Sequence, residues 1–152
     1  MKIWMTLTVV AVMTLGCNRG AKHCAVCQRD ECRTLAFRMV LPDGKRMETC
    51  CPRCGLHYLA VHHLTAKSIE VTDCATGKFI EGGPATFVNG SDVSACAAME
   101  VRRDAYGCCA VKGYDRCLPS VIAFRERAAA TAFAKEHGGQ LMTLAELTKV
   151  IE

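Results

Sequence analysis

The chain lacks the signatures of several large function classes. Its 152 residues hold no G-x-S-x-G nucleophile elbow, no Walker phosphate loop and no G-x-G-x-x-G dinucleotide motif. The carboxylates are scattered and form no recognisable acid–base pair. Lys and Arg nowhere make a run of five, and the formal net charge is only +4, or +3 without Lys2, which argues against nucleic acid as a partner. No internal repeat of fixed period is visible. No apolar run reaches the length of a membrane span, about 20 residues. Aromatic residues are scarce, at 6%. Cysteine is abundant instead, with 12 copies, near the density at which it defines a protein class. A 51% hydrophobic and 22% charged composition is that of a globular chain, and its length suffices for one domain with a self-sustaining core. The thiols therefore need not act as staples.

The N-terminus reads as an export signal. Met1-Lys2 is a short positive start, residues 3–15 are uncharged and largely apolar, and Gly16-Cys17 follows. Such a stretch is too short to span a bilayer and matches the apolar region of a signal peptide. Cys17 after Leu15-Gly16 is similar to a bacterial lipobox, in which the cysteine is acylated; a plain secretory signal with an incidental cysteine is the alternative. Residues 1–16 are then the lipoprotein signal, 17–23 a polar tether lipidated at Cys17, and 24–152 the functional domain, held at a membrane surface by lipid. An exported domain sits where disulfides persist. Without Cys17 eleven cysteines remain, an odd number, so disulfides cannot account for all of them.

Along the domain, residues 35–49 alternate as a hairpin around Pro42-Asp43-Gly44. Pro52 opens a helix running to about residue 63. Residues 68–72 and 78–80 read as strands flanking a turn, and 85–88 as a short strand. Residues 94–117 show no period and are expected to be a cysteine-bearing loop. A strand over 121–124 and an alanine-rich helix over 126–137, stopped by Gly138-Gly139, come next. Leu141-Met142 adds a strand, and Thr143 with Glu146 forms a capping box for a terminal helix. Strands mixed with helices without regular alternation give an α+β fold.

Three constellations carry chemistry. In Cys50-Cys51-Pro52-Arg53-Cys54, a helix opened by Pro52 sets Cys51 and Cys54 one turn apart, with His57 a turn further on. Thiolates at a helix N-terminus are favoured by the dipole and are the metal-binding form; a disulfide to a distant cysteine is the alternative. Cys24-x-x-Cys27, with His23 before it and Cys32 after it, can chelate an ion or form a redox disulfide. It follows a tether and precedes a hairpin, unlike a thioredoxin motif, which favours metal. A four-thiolate zinc site with the Cys50, Cys51, Cys54 group is geometrically reasonable. Met99, Cys108, Cys109 and Cys117 form the third group. Thiolate with thioether selects monovalent copper, while Cys108 and Cys109 can instead be disulfide partners and Met99 a gap filler. The candidate ligands are Cys24, Cys27, Cys50, Cys51, Cys54, His57, Met99 and Cys117. Adjacent His62 and His63 point to different faces, so at most one can join His57, with solvent exposure the alternative, and a cap role suffices for His137.

Val71-Thr72-Asp73, residues 75–78, residues 89–93 and the segment from Phe133 to Gly139 together resemble the NosL family, copper-accessory lipoproteins of nitrous oxide reductase. The likeness runs from Cys17 through Cys24-x-x-Cys27 to the terminal helix. It implies a small α+β fold similar to the metal-handling part of organomercurial lyase (MerB), binding of copper(I) and its delivery outside the cytoplasm to a client such as nitrous oxide reductase. Gln28 and Arg29 stand where the family has Gly-Met, and Cys117 stands near a family methionine, beyond an inserted loop over residues 94–117.

The expectation is an extracytoplasmic, membrane-anchored copper(I) metallochaperone of the cell envelope, facing the periplasm or the exterior, that catalyses no covalent change. Zinc is the alternative cargo at Cys50, Cys51 and Cys54. Two other classes compete with it. One is a thiol oxidoreductase or mercury-handling enzyme; the other is a structural zinc or disulfide scaffold.

Overall fold

Alternation of large apolar with polar side chains at Phe37, Arg38, Met39 and Val40 makes a strand with one buried face. In the computed structural model, which describes residues 23–30, 32–97, 99–106, 109–111 and 113–151, this strand is β1 (Phe37–Val40). It pairs antiparallel with β2 (Arg46–Thr49), Phe37 opposite Thr49 and Val40 opposite Arg46. The turn between them needs Gly44, whose φ is +87°. On its other edge β1 pairs antiparallel with β3 (Ser68–Thr72), which in turn pairs with β4 (Phe79–Glu81), so the first sheet has the order β2-β1-β3-β4.

A second antiparallel sheet has β5 (Thr86–Asn89) at its centre, between β8 (Val121–Phe124) and β9 (Gln140–Met142). The sheets meet at Asp73. Its backbone bridges Ala123, and its carboxylate accepts a hydrogen bond from the Arg125 amide at 2.9 Å. Residues 94–117, expected to be an irregular loop, contain a two-stranded hairpin of β6 (Val101–Arg103) and β7 (Cys109–Val111). β6 is polar beyond Val101 and mostly exposed, so it has no buried face to mark it in the sequence.

Among the described residues three helices complete the α+β domain. α1 (Pro52–Val61) begins on Pro52, whose missing N–H is no loss in the first turn, and buries Cys54, Gly55, Leu56 and Leu59. Gly55 lies against the Phe37 ring, which leaves no room for a Cβ. α2 (Arg127–His137) ends at Gly138, φ +73°, with Lys135 complementing the helix dipole in its last turn. α3 (Leu144–Ile151) opens on the capping box: the Thr143 amide donates to Glu146 Oε2 at 2.8 Å, and the Glu146 amide donates to Thr143 Oγ1 at 3.3 Å. No helix among the described residues is long and apolar enough to cross a membrane.

β5 and β8 are buried on both faces and divide the interior in two. Phe87, Val121 and Ala123 face a hydrocarbon core shared with Phe37, Met39, Val71, Leu56 and Leu147. Val88, Ile122 and Phe124 face a second core whose remaining volume is largely cysteine.

Candidate metal centre

Three separate stretches deliver six sulfurs to this second core. The first is a closed loop ahead of β1: the Cys24 amide donates to the Arg29 carbonyl at 2.8 Å and the Gln28 amide to the Cys24 carbonyl at 2.9 Å. Closure puts Gln28 in the left-handed region, φ +60°, a conformation that favours glycine. The loop points both Cys24 and Cys27 inward. The second stretch leaves β2 at Thr49, passes Cys50, uses Cys51 as the N-cap of α1 and places Cys54 in its first turn. No side-chain oxygen caps this end of α1, and no acidic residue occupies its first turn. The dipole there is thus available to stabilise sulfur anions.

The third stretch brings Cys117. Buried Asp115 accepts the Cys117 amide at 2.9 Å and receives both Arg29 guanidinium nitrogens at 2.9 Å. The same guanidinium reaches the Cys117 sulfur at 3.6 Å. Arg29 and Asp115 therefore lock the Cys24–Cys27 loop to the Cys117 segment. A disulfide between Cys32 and Cys96 makes a further tie between these parts of the chain. Sequence reasoning identified neither tie. The one usable sign was an aspartate two residues before a cysteine, the spacing at which its side chain accepts that residue's amide.

The sulfurs form two overlapping groups of four. Cys24, Cys27, Cys50 and Cys54 make one, Cys50, Cys51, Cys54 and Cys117 the other, and within each group all Sγ atoms lie within 4.8 Å of one another. Individual contacts are 3.4 Å for Cys27–Cys50, 3.6 Å for Cys50–Cys54, 3.7 Å for both Cys50–Cys51 and Cys50–Cys117, and 3.9 Å for Cys54–Cys117. A disulfide is about 2.05 Å long, so these are separate sulfurs. Tetrahedral sulfurs about 2.3 Å from one metal ion would stand about 3.8 Å apart. The cluster already has the spacing of a thiolate metal site.

Its electrostatics are those of shared protons. Hydrogen bonds from Cys50 and then Cys54 hold the Cys24 thiol far below its usual range, and bonds from Cys50, Cys51 and Cys54 do the same for Cys117. Cys50 and Cys54 are pushed up by those same bonds, first to Cys117 and then to Cys24. Burial raises Cys27. Hydrogen bonding thus favours the thiolate at Cys24 and Cys117, one in each group. Among the described residues every buried side-chain nitrogen and oxygen has a hydrogen-bond partner.

Six of the eight side chains singled out in the sequence are in this cluster. His57 belongs to neither group. One turn of helix carries it away from the sulfurs at the α1 N-terminus, and it lines a separate cavity of about 90 Å³ with Val26, Arg53 and Tyr114. Met99 is half-buried with its thioether on Gly113. Cys109 is a free thiol beside the end of α2, its sulfur 3.9 Å from the His137 carbonyl. Cys17 and Cys108 lie outside the described residues.

Among solved structures, the chain is similar to the copper chaperone NosL from Shewanella denitrificans, with a TM-score of 0.61 over 85% of this chain and 91% of that one, at 19% sequence identity. The fold is NosL-like. No protein-family model and no curated protein matches the sequence. Within the NosL-like fold, the cysteine cluster able to bind a metal ion occupies the second core, under the Cys24–Cys27 loop and at the N-terminus of α1.

Proposed function

We propose that this protein is an extracytoplasmic copper(I)-binding metallochaperone, anchored to a membrane by lipid on Cys17. The observation that carries the proposal is the cluster itself, in which six unpaired cysteine sulfurs from three stretches converge inside a fold shared with a copper chaperone. All-sulfur donor sets favour soft monovalent copper. Tetrathiolate sets also suit zinc, and the competition described below separates the two.

A chaperone must give its ion up. Five of the six cysteines are at most 4% exposed, whereas Cys27 is half-buried at the surface end of its loop. Copper enters and leaves by ligand exchange at Cys27, with the buried sulfurs as the store. The receiving client is a copper protein outside the cytoplasm, of which nitrous oxide reductase or its assembly proteins are the candidates named by the family resemblance. The ion is cargo, and no catalytic residue is assigned.

The test is anaerobic titration of the purified full chain with copper(I) against a chromogenic copper(I) chelator, with zinc added as competitor. Copper is expected to be retained against the chelator and not displaced by zinc, and retention is expected to fail in Cys50→Ala, Cys54→Ala. Copper stripped by stoichiometric chelator, or replaced by equimolar zinc, would overturn the proposal.

A further inference from the structure

We infer that the cluster holds two copper(I) ions at once, as a binuclear centre in which Cys50 and Cys54 each bridge both ions. Resting on copper binding as proposed above, this goes further by giving the number of ions and the sulfurs they share. A single ion accepts at most four sulfurs in a tetrahedral site. Six stand in contact here, in two four-sulfur groups that overlap only at Cys50 and Cys54. Cys24 and Cys27 complete one group, Cys51 and Cys117 the other. The shared sulfurs are 3.6 Å apart, and Cys50 is within 3.7 Å of a terminal sulfur on each side, Cys27 in one group and Cys51 and Cys117 in the other.

A deprotonated sulfur has lone pairs for two cations, so a bridging thiolate offsets charge on both ions. That matters in a core where five of the six sulfurs are buried, because bridging lets the second ion be held without two further buried anions. Each thiol that becomes a ligand releases its proton to solvent as copper binds. Positive charge stands alongside: Arg29 reaches the Cys117 sulfur at 3.6 Å, and Arg53 follows Cys51 and Pro52 in the first turn of α1. The two ions also rely on different parts of the chain. One is held by the Cys24–Cys27 loop with α1, the other by α1 with the Cys117 segment.

The test combines native mass spectrometry with copper X-ray absorption on the anaerobically loaded full chain. Two copper ions per chain are expected, with the two-copper species favoured over the one-copper species during titration and with a copper–copper scattering path in the absorption spectrum. Cys24→Ala, Cys27→Ala and, separately, Cys51→Ala, Cys117→Ala should each hold one ion and lose the copper–copper path. One ion per wild-type chain, or two ions without that path, would overturn the binuclear centre while leaving copper binding intact. No bound copper at all would overturn copper binding as well. The wild-type measurements decide the matter even if a double variant fails to fold.

Discussion

The two cores share a wall and little else. On one face of β5 and β8, Phe87, Val121 and Ala123 meet Phe37, Met39, Val71 and Leu147, a hydrocarbon interior whose stability comes from apolar area removed from water. On the other face, Val88, Ile122 and Phe124 meet Cys24, Cys50, Cys51, Cys54 and Cys117. The first core is built to be filled once and stay filled. The second is filled by small, polarizable groups that pack as modest hydrophobes and are also able to bind a metal ion. The first core contains no cysteine, so the fold is expected to stand without metal and the second core to be free to exchange its contents.

Substitutions should separate the two cores. The largest stability loss is expected for Phe37→Ala, which empties a fully buried site against Gly55 and should cost about 3–5 kcal/mol in denaturant unfolding of the metal-free chain. An equal cost for Cys50→Ala would erase the distinction. Next, Cys32→Ser, Cys96→Ser opens a closure spanning 64 positions and should cost about 2–4 kcal/mol. It should also loosen the Cys24–Cys27 loop, seen as faster thiol alkylation at Cys27.

Asp73 joins the two sheets. Burial alone would raise its carboxyl, but hydrogen bonds from Thr76 and from the Arg125, Ala75 and Thr76 amides outweigh this and hold it below the usual carboxylate range. A carboxylate lowered in the folded state stabilises above its unfolded pKa, and the benefit fades as pH falls through its folded value. Asp73→Asn should therefore cost about 1–3 kcal/mol at neutral pH, with the gap to wild type closing in acid, as pH-dependent melting would show. The smallest loss is expected for Cys50→Ala without metal, about 1 kcal/mol. With copper the order changes: at free copper a thousandfold above Kd the wild type should gain about 4 kcal/mol, and Cys50→Ala should gain far less.

The hydrocarbon core was the more legible of the two. Period-two alternation marked β1, Pro42-Asp43-Gly44 marked its turn, Pro52 marked the start of α1, and Thr143 with Glu146 marked α3, all of them signals within a few residues. The hairpin of β6 and β7 was invisible because β6, polar beyond Val101 and mostly exposed, has no buried face. At the centre, spacing showed which cysteines are local neighbours, such as Cys51 and Cys54, and suggested the meeting of Cys24 and Cys27 with the Cys50 group. It did not show that Arg29 and Asp115, 86 positions apart, clamp Cys117 onto that group, nor that Cys32 pairs with Cys96. Those contacts depend on the path the chain takes between β5 and β8, which no local pattern encodes. His57 was placed by helical spacing alone, and direction along the axis takes it out of the cluster.

The most direct measurement is the first coordination shell of copper in the anaerobically loaded full chain, read by X-ray absorption. A shell of sulfur alone is expected, lost together with the copper in Cys50→Ala, Cys54→Ala. Nitrogen or oxygen in that shell, or an unchanged spectrum in the double variant, would contradict the assignment of the sulfur-lined core as the place where copper is held.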